Sequence, residues 1–203
     1  MVKIGMLTIL FSWLTISSTI SITVHRDGCI YNRRRSAVNC RGENWSSVPF
    51  SFLQNKSFRT LDLGFNNIRL LNNTQDFLQV QSRDLIDAIL LDNNQIEDLP
   101  LRLFDGLTNL QVLDLSYNRI KHISNNFCHI TSLSNLILDG NPIESISKNA
   151  FVCMKNLKYL SLANCNITRF SFDTLESLNA KEINLSGNNI ENVNDVRSSS
   201  IKL

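Results

Sequence analysis

Histidine and cysteine are the residue types of this sequence best suited to chemistry, and they are few. The 203-residue chain has three histidines and five cysteines. Cys128 and His129 are neighbours, but adjacent side chains rarely point at one substrate, so a surface loop explains them better than a nucleophile with its base. The sequence has no glycine-rich phosphate loop and no metal-ligand spacing. It therefore predicts a protein that is not an enzyme and that uses no cofactor or metal.

The first residues have the pattern of a secretory signal peptide. Lys3 gives a short positive start, residues 7–22 are mostly apolar, and small residues such as Thr19 and Ser21 lie near the end of that stretch. An uncleaved membrane anchor is the alternative, but the apolar stretch is shorter than the roughly 20 residues that span a bilayer. We therefore predict a signal peptide over residues 1–21 and a product that is secreted or lies on the extracellular face. No later stretch is long and apolar enough to predict a transmembrane span.

Export would place the cysteines in an oxidising compartment, where close pairs form disulfides. Cys29 and Cys40 lie near the predicted mature start. A zinc site there would need two more ligands, and His25 is the only nearby histidine. We therefore predict a disulfide between Cys29 and Cys40.

Five N-x-Ser/Thr sequons fit the same compartment. They begin at Asn44, Asn55, Asn72, Asn166 and Asn184. A single sequon arises easily by chance in a chain rich in Asn and Ser, so the five sequons corroborate export. We predict N-glycosylation at these asparagines.

The charge balance does not indicate a polyanionic partner. The formal net charge is +2 and 19% of the residues are charged, so no field strong enough to indicate nucleic acid or an acidic membrane follows. The basic run Arg33–Arg35 is better explained as a solvated loop than as an anion site. With 43% hydrophobic residues, the chain can bury one sizeable core.

An internal repeat dominates the chain from Phe58 onward. Each copy has apolar residues at positions one, four, six, eleven and fourteen, and Asn or Cys at position nine. Successive copies are 23 or 24 residues apart, except for one step of 28 residues between the first two. The six copies place at position nine Asn66, Asn94, Asn118, Asn141, Cys165 and Asn188. We assign six repeats to residues 58–193.

These copies resemble the leucine-rich repeat, L-x-x-L-x-L-x-x-N/C-x-L, of the longer extracellular type. The resemblance implies an α/β solenoid. Its form would be a right-handed horseshoe with one short parallel strand per repeat on the concave face and irregular or 3-10 segments on the convex side. In such a strand Leu61 and Leu63 point inward while Asp62 points outward. The repeated Asn would satisfy backbone groups that the turn leaves unpaired, as a ladder from repeat to repeat.

A solenoid needs cover at both ends. Residues 22–57 resemble the amino-terminal cap of this family, with Val38, Asn39 and Cys40 in an edge strand, and the two-cysteine form is similar to that of Toll-like receptors. Residues 194–203 predict an uncapped polar tail. Because a bare end exposes apolar core, we expect either a fragment of a membrane receptor or a second copy or different subunit covering this end.

Cys128 and Cys153 fall at nearly equivalent positions of adjacent repeats. We expect both on the convex side, where they could approach each other. The sequence leaves open whether they are bonded.

The outward strand positions would form the concave binding surface. Four Asp residues give it an acidic character, and aliphatic and aromatic residues form its centre, as in a protein-binding hot spot. The candidate ligand-binding residues are Asp62, Leu90, Asp92, Val112, Asp114, Tyr117, Ile137, Asp139 and Tyr159. The alternative is that Asp between two leucines is only a solvated filler. A glycan on Asn184 would leave the first five repeats for the ligand.

The similarity to Toll-like receptor ectodomains implies a module that binds a protein or a microbial or endogenous ligand in innate immunity. Matrix and adhesion proteins share the repeat, so a structural role outside the cell is the alternative. A four-cysteine cap or a cysteine-rich carboxy-terminal cap would favour that alternative, and this sequence has neither.

Overall fold

The structure is a computed structural model, and it describes residues 22–24, 28–48, 50–71, 77, 80–175, 178–191 and 201–202. The predicted signal peptide (1–21), the sequon at Asn72 and residues 194–200 lie outside the described residues.

Short strands recur along the described chain, and in each repeat strand residues that face the core alternate with residues that face outward. In chain order the strands are β1 (Ile22–Val24), β2 (Ile30–Asn32), β3 (Ala37–Asn39), β4 (Thr60–Asp62), β5 (Ala88–Leu90), β6 (Val112–Asp114), β7 (His122–Ile123), β8 (Asn135–Ile137), β9 (Ser145–Ile146), β10 (Tyr159–Ser161), β11 (Glu182–Asn184) and β12 (Ile201–Lys202). The described residues also contain a four-residue helix, α1 (Phe50–Leu53), and 3-10 turns at Arg83–Leu85 and Phe172–Leu175.

Ten of these strands form one sheet, in the order β1-β2-β3-β4-β5-β6-β8-β10-β11-β12. β1, β2 and β3 pair antiparallel, and each pair from β3 to β12 is parallel. The register aligns the middle residues of the repeat strands, which are Leu61, Ile89, Leu113, Leu136, Leu160 and Ile183. The predicted solenoid with one short parallel strand per repeat is therefore confirmed. β7 and β9 pair in a separate two-stranded sheet.

Stacking buries side chains that no single repeat could bury. The inward strand residues are fully or almost fully buried, and a column of phenylalanines packs behind them. The ring centroids of Phe77 and Phe104 are 6.1 Å apart, and those of Phe104 and Phe127 are 6.5 Å apart. Phe50 from α1 meets Phe77 edge-on at 5.0 Å, which joins the cap to the same column.

A ladder of asparagine side chains holds consecutive turns together. The Asn118 Nδ2 donates to the Leu91 carbonyl at 2.9 Å and to the Leu115 carbonyl at 3.0 Å. Its Oδ1 accepts the Ile96 N–H at 3.0 Å, so one buried amide satisfies backbone groups of two repeats. The same pattern is made by Asn66, Asn94, Asn141 and Asn188.

Cys165 occupies the ladder position of the fifth repeat and makes only part of these bonds. Its Sγ donates to the Leu138 carbonyl at 3.3 Å, and the Ile143 N–H is accepted by the Cys165 carbonyl at 3.1 Å instead of by a side chain. Burial raises the pKa of this thiol to about 11, so it stays protonated and acts as a weak donor.

Two disulfides are present in the described chain. Cys29 and Cys40, which flank β2 and β3, are joined as predicted, with their Cα atoms 4.3 Å apart. Cys128 and Cys153, whose pairing the sequence left open, are also joined, with a Cα separation of 4.9 Å. The second bond ties the segments after β7 and β9 of adjacent repeats to each other.

Both ends of the sheet differ from the sequence-based expectation. β3 is not an edge strand, because β2 and β1 continue the sheet beyond it. At the other end, Ile201 and Lys202 of the expected free tail form β12 and pair in parallel with β11. The Lys202 carbonyl accepts the Leu185 N–H at 2.6 Å, and Ile201 packs against the core. The apolar spacing of Ile201 and Leu203 repeats that of a strand, but it is too short to be recognised after a polar stretch.

Replacing the central ladder amide should cost more than replacing the thiol in the same position. Asn118→Ala leaves the Ile96 N–H without its acceptor and removes one of the two amide donors at the Leu91 and Leu115 carbonyls, so we expect the free energy of unfolding to fall by about 2 kcal/mol. Cys165→Ala removes one weak donor and should cost about 1 kcal/mol. Urea unfolding of both variants measures the difference. Equal losses would contradict the ladder as the dominant polar constraint.

Candidate ligand-binding surface

The outward residues of the parallel strands and of the turns directly after them form one surface, called here the concave surface. Eight of the nine predicted ligand-binding residues are at least partly exposed on it. They are Asp62, Leu90, Val112, Asp114, Tyr117, Ile137, Asp139 and Tyr159. The ninth, Asp92, is only 7% exposed and its carboxylate is occupied by another side chain, so it is poorly placed to meet a ligand.

Strand register brings the apolar candidates into two rows across the sheet. Leu90 pairs with Asp114, which in turn pairs with Ile137. In the adjacent row, Val112 pairs with Asn135, which pairs with Tyr159. Apolar and polar side chains therefore alternate within each of these two sets of three residues, and Asp114 lies between two half-buried aliphatic side chains.

Asp114 is the central carboxylate of the concave surface. Burial raises its pKa, and the negative charges of Asp92 and Asp139 add to that effect. Hydrogen bonds oppose it, because Asp114 Oδ1 accepts the Ser116 N–H at 2.9 Å and the Ser116 hydroxyl at 2.6 Å. A partly desolvated carboxylate beside apolar groups is suited to bind a cationic or hydrogen-bond-donating group of a ligand.

Arg41, a residue that the sequence did not indicate, pairs with two carboxylates at one end of this surface. Its guanidinium binds Asp92 through two bonds, Nη1 to Oδ1 at 3.0 Å and Nη2 to Oδ2 at 2.7 Å. It also donates to Asp62 at 3.0 Å. Burial opposes ionisation of Asp92, but the hydrogen bonds from Arg41 and Asn93 outweigh it and hold the pKa of that carboxyl below its usual value.

The absence of a side chain at Gly64 makes this contact possible. Asn39 pairs with Asp62, so two residues further on Arg41 and Gly64 occupy the same column as Asp92. A Cβ at Gly64 would clash with the Arg41 guanidinium and with the Asp92 carboxylate. Arg41 could have been found from the sequence by extending the column of outward residues, Asp92 and Gly64, by one more strand into the cap.

The four predicted acidic residues therefore do not act alike. Asp62 and Asp92 are paired with Arg41, whereas Asp114 and Asp139 have no cationic partner among the described residues. Asp139 Oδ1 accepts the Ala163 N–H at 2.8 Å, which fixes its position. Of the predicted aspartates, the two without a cationic partner thus lie in the third and fourth repeats.

Four of the predicted glycosylation sites lie within the described residues. Asn44, Asn55 and Asn166 are exposed. Asn184 lies in β11 on the concave surface, where its Nδ2 donates to the Ser161 hydroxyl at 3.2 Å and its Oδ1 accepts the Ser186 hydroxyl at 2.6 Å.

Comparison with known proteins assigns this fold to a family. A leucine-rich-repeat family model matches residues 86–143 and 131–190, and a second leucine-rich-repeat model matches residues 54–69. The chain belongs to the leucine-rich-repeat family. This family and the Toll-like fold are those of non-enzymatic binding modules.

The similar proteins are receptors with leucine-rich-repeat segments. Toll-like receptor 8 of Homo sapiens is 36% identical over 81 residues, which is 36% of this chain and 8% of the relative. Leucine-rich repeat-containing G-protein coupled receptor 4 of Xenopus tropicalis is 34% identical over 73 residues, again 36% of this chain and 8% of the relative. The leucine-rich-repeat chain thus spans less than a tenth of the length of these two relatives.

A solved structure supports the similarity to Toll-like receptors. The chain of the crystal structure of the TLR13-ssRNA13 complex superposes with a TM-score of 0.69 and 29% sequence identity, over 76% of this chain and 22% of that chain. This leucine-rich-repeat protein therefore resembles part of a Toll-like receptor ectodomain. Among its described residues, no helix has the length and hydropathy to cross a membrane.

Gly64→Ala should break the contact between Arg41 and Asp92. The new Cβ would displace the guanidinium and leave a buried carboxylate without its cation, so we expect the free energy of unfolding to fall by about 1–3 kcal/mol. A double-mutant cycle with Arg41→Gln, followed by urea unfolding, tests the cause. Additive losses would mean that Gly64 does not act through Arg41.

Asp114→Asn should raise the melting temperature at neutral pH. The raised pKa of Asp114 means that its ionised form destabilises the fold, and an Asn Oδ1 keeps the bonds to Ser116. The gain should shrink as the pH falls through the raised pKa and disappear below the ordinary carboxyl value of 3.8, where Asp114 is neutral. Calorimetry at several pH values measures it, and a gain that does not depend on pH would contradict this electrostatic origin.

Proposed function

We propose that the chain is an extracellular recognition module of the Toll-like-receptor type, which binds a protein or a microbial or endogenous ligand through its concave surface in innate immunity. The observation that carries the proposal is the arrangement of Leu90, Asp114 and Ile137 side by side across the sheet. Half-buried aliphatic side chains around an unpaired carboxylate can supply both apolar contact and one directional polar bond.

The Arg41 contact refines the position of the proposed site. Since Arg41 is bound to both Asp62 and Asp92, the two carboxylates of the first two repeats already have a cationic partner on this surface. The third to fifth repeats carry Asp114, Asp139 and the half-exposed Tyr159. We therefore place the centre of the site at repeats three to five, within the five repeats that the sequence indicates.

The extracellular location belongs to the same proposal. Two disulfides within the described chain and exposed sequons at Asn44, Asn55 and Asn166 support secretion and glycosylation. The similar proteins are receptors far longer than this chain, which supports its origin as part of a membrane receptor. The alternative that the sequence offers is cover of this end of the sheet by a second copy or another subunit.

A matched pair of valine substitutions tests the site. Val112→Arg places a long charged side chain in the middle of the concave surface, whereas Val152→Arg does so at a 42% exposed position on the convex side. Purified protein with each substitution is measured by surface plasmon resonance against immobilised single-stranded RNA, bacterial cell-envelope extract and extracellular-matrix protein. We expect Val112→Arg to weaken the binding of the recognised class at least about thirtyfold, because loss of a hot spot costs about 2 kcal/mol or more.

The outcomes separate the alternatives. Val152→Arg should bind as the unmodified chain does, and both variants should keep its melting temperature. Equal binding by both variants would move the site off the concave surface. Binding to matrix protein alone would favour the structural role outside the cell over pattern recognition.

A further inference from the structure

The residue before each ladder position has a left-handed backbone. The φ angles are 54° at Phe65, 54° at Asn93, 53° at Tyr117, 68° at Gly140, 54° at Asn164 and 70° at Gly187. Gly and Asn tolerate this conformation, so four of the six repeats follow the steric rule. Phe65 and Tyr117 break it, because bulky side chains are disfavoured at positive φ.

Burial does not compensate for this backbone strain. The Phe65 side chain is 54% exposed and that of Tyr117 is 57% exposed, the two largest values for aromatic residues in the described chain. Each ring is nevertheless held in place. The Arg41 guanidinium lies 4.4 Å from the centre of the Phe65 ring, and the Tyr117 ring lies against Gly140, where any Cβ would clash with it. Side chains that are exposed and held in place on a strained backbone indicate a binding function.

The two rings flank a shallow cleft of about 390 Å³, called here the rim cleft. Its other lining side chains are amides, principally Asn67, Asn93 and Gln95. The Gln95 Nε2 donates to the Asn67 Oδ1 at 2.9 Å, and the Gln95 Oε1 accepts from the Arg69 Nε at 2.9 Å, which orients both amides. No charged residue lines the rim cleft, so it offers two aromatic faces and several neutral donors and acceptors.

We propose that the rim cleft binds a neutral carbohydrate, in addition to the ligand of the concave surface. The C–H bonds on one face of a sugar ring carry a small positive charge and pack on the negative face of an aromatic ring. The hydroxyl groups around the sugar both donate and accept, as the amides of Asn67 and Gln95 do. Two aromatic platforms on repeats one and three, with amides between them, match a short oligosaccharide.

The charges around the rim cleft disfavour a polyanion. Nucleic acids and sulfated glycans bind mainly through cations that meet their phosphate or sulfate groups. The rim cleft has no such cation in its lining, and the nearby Arg41 is already bound to Asp62 and Asp92. Arg69 lies beside the cleft and donates its Nε to the lining Gln95 Oε1, and the anionic probes below test whether it attracts a polyanion. Asp114 and Asp139 add negative charge on the adjoining surface without a cationic partner among the described residues.

The residues that precede the ladder positions in other repeats suggest variants that remove each ring without disturbing the turn. Phe65→Asn and Tyr117→Asn install the residue that other repeats use at this φ, so we expect an unchanged or higher melting temperature. Binding is screened on an array of immobilised neutral oligosaccharides, with heparin and single-stranded RNA as anionic arms. The dissociation constant of the best neutral oligosaccharide is then measured by titration calorimetry. We expect each variant to weaken it about tenfold.

Three controls make the result specific. Tyr117→Phe keeps the ring, Asn164→Gly changes the same turn outside the rim cleft, and Val112→Arg changes the concave surface; all three should bind the oligosaccharide normally. Failure to bind any neutral oligosaccharide, or binding of an anionic probe alone, overturns the proposal. So does binding that survives loss of either ring. A fall in melting temperature in Phe65→Asn and Tyr117→Asn would show that the rings are structural, and it would overturn the proposal as well.

Discussion

The satisfaction of backbone polar groups in the turn after each strand is the constraint on which this solenoid depends. The turn points backbone N–H and C=O groups into an apolar interior, where unpaired groups are costly. In every repeat except the fifth, one buried amide satisfies these groups in its own turn and in the previous repeat, as Asn118 does with Leu91, Leu115 and Ile96. Stacking of the repeats and hydrogen bonding of the turns therefore depend on each other, because a ladder amide has its full set of partners only when the neighbouring repeat is in place.

The ladder also determines where function can lie. Because it fixes each turn, the residue immediately before it takes a left-handed backbone, and the outward strand residues lie in register across the sheet. Neither class of position contributes to the core, so its side chains can vary with little effect on the fold. Leu90 and Ile137 occupy such variable positions on the concave surface, and Phe65 and Tyr117 occupy them at the rim cleft.

Charge on the concave surface is arranged by a contact across three neighbouring strands. Arg41 belongs to the cap, Gly64 to the first repeat and Asp92 to the second, and the missing side chain in the middle lets the outer two meet. Of the four predicted aspartates, the pair leaves Asp114 and Asp139 without a cation among the described residues. The same guanidinium lies on the Phe65 ring, so one cap residue affects both candidate binding surfaces.

The sequence alone determined the repeating part of this protein. The period, the inward leucines and the ladder positions follow from local rules, since each repeat must bury one stripe and satisfy one turn. The nearness of Cys29 to Cys40 in sequence likewise sufficed to predict their bond, which the structure contains. These features depend on the spacing of residue types along the chain, which can be read directly from the sequence.

Tertiary structure alone decided the contacts that join different repeats through non-repeating residues. The Cys128–Cys153 bond, the Arg41–Asp92 pair and the pairing of Ile201–Lys202 with β11 each depend on which residues the stacking brings side by side. The backbone strain at Phe65 and Tyr117 is of the same kind, because a side chain gives no sign of the φ that its turn imposes. Periodicity predicts that repeats stack, but it does not predict which variable side chains meet across the stack.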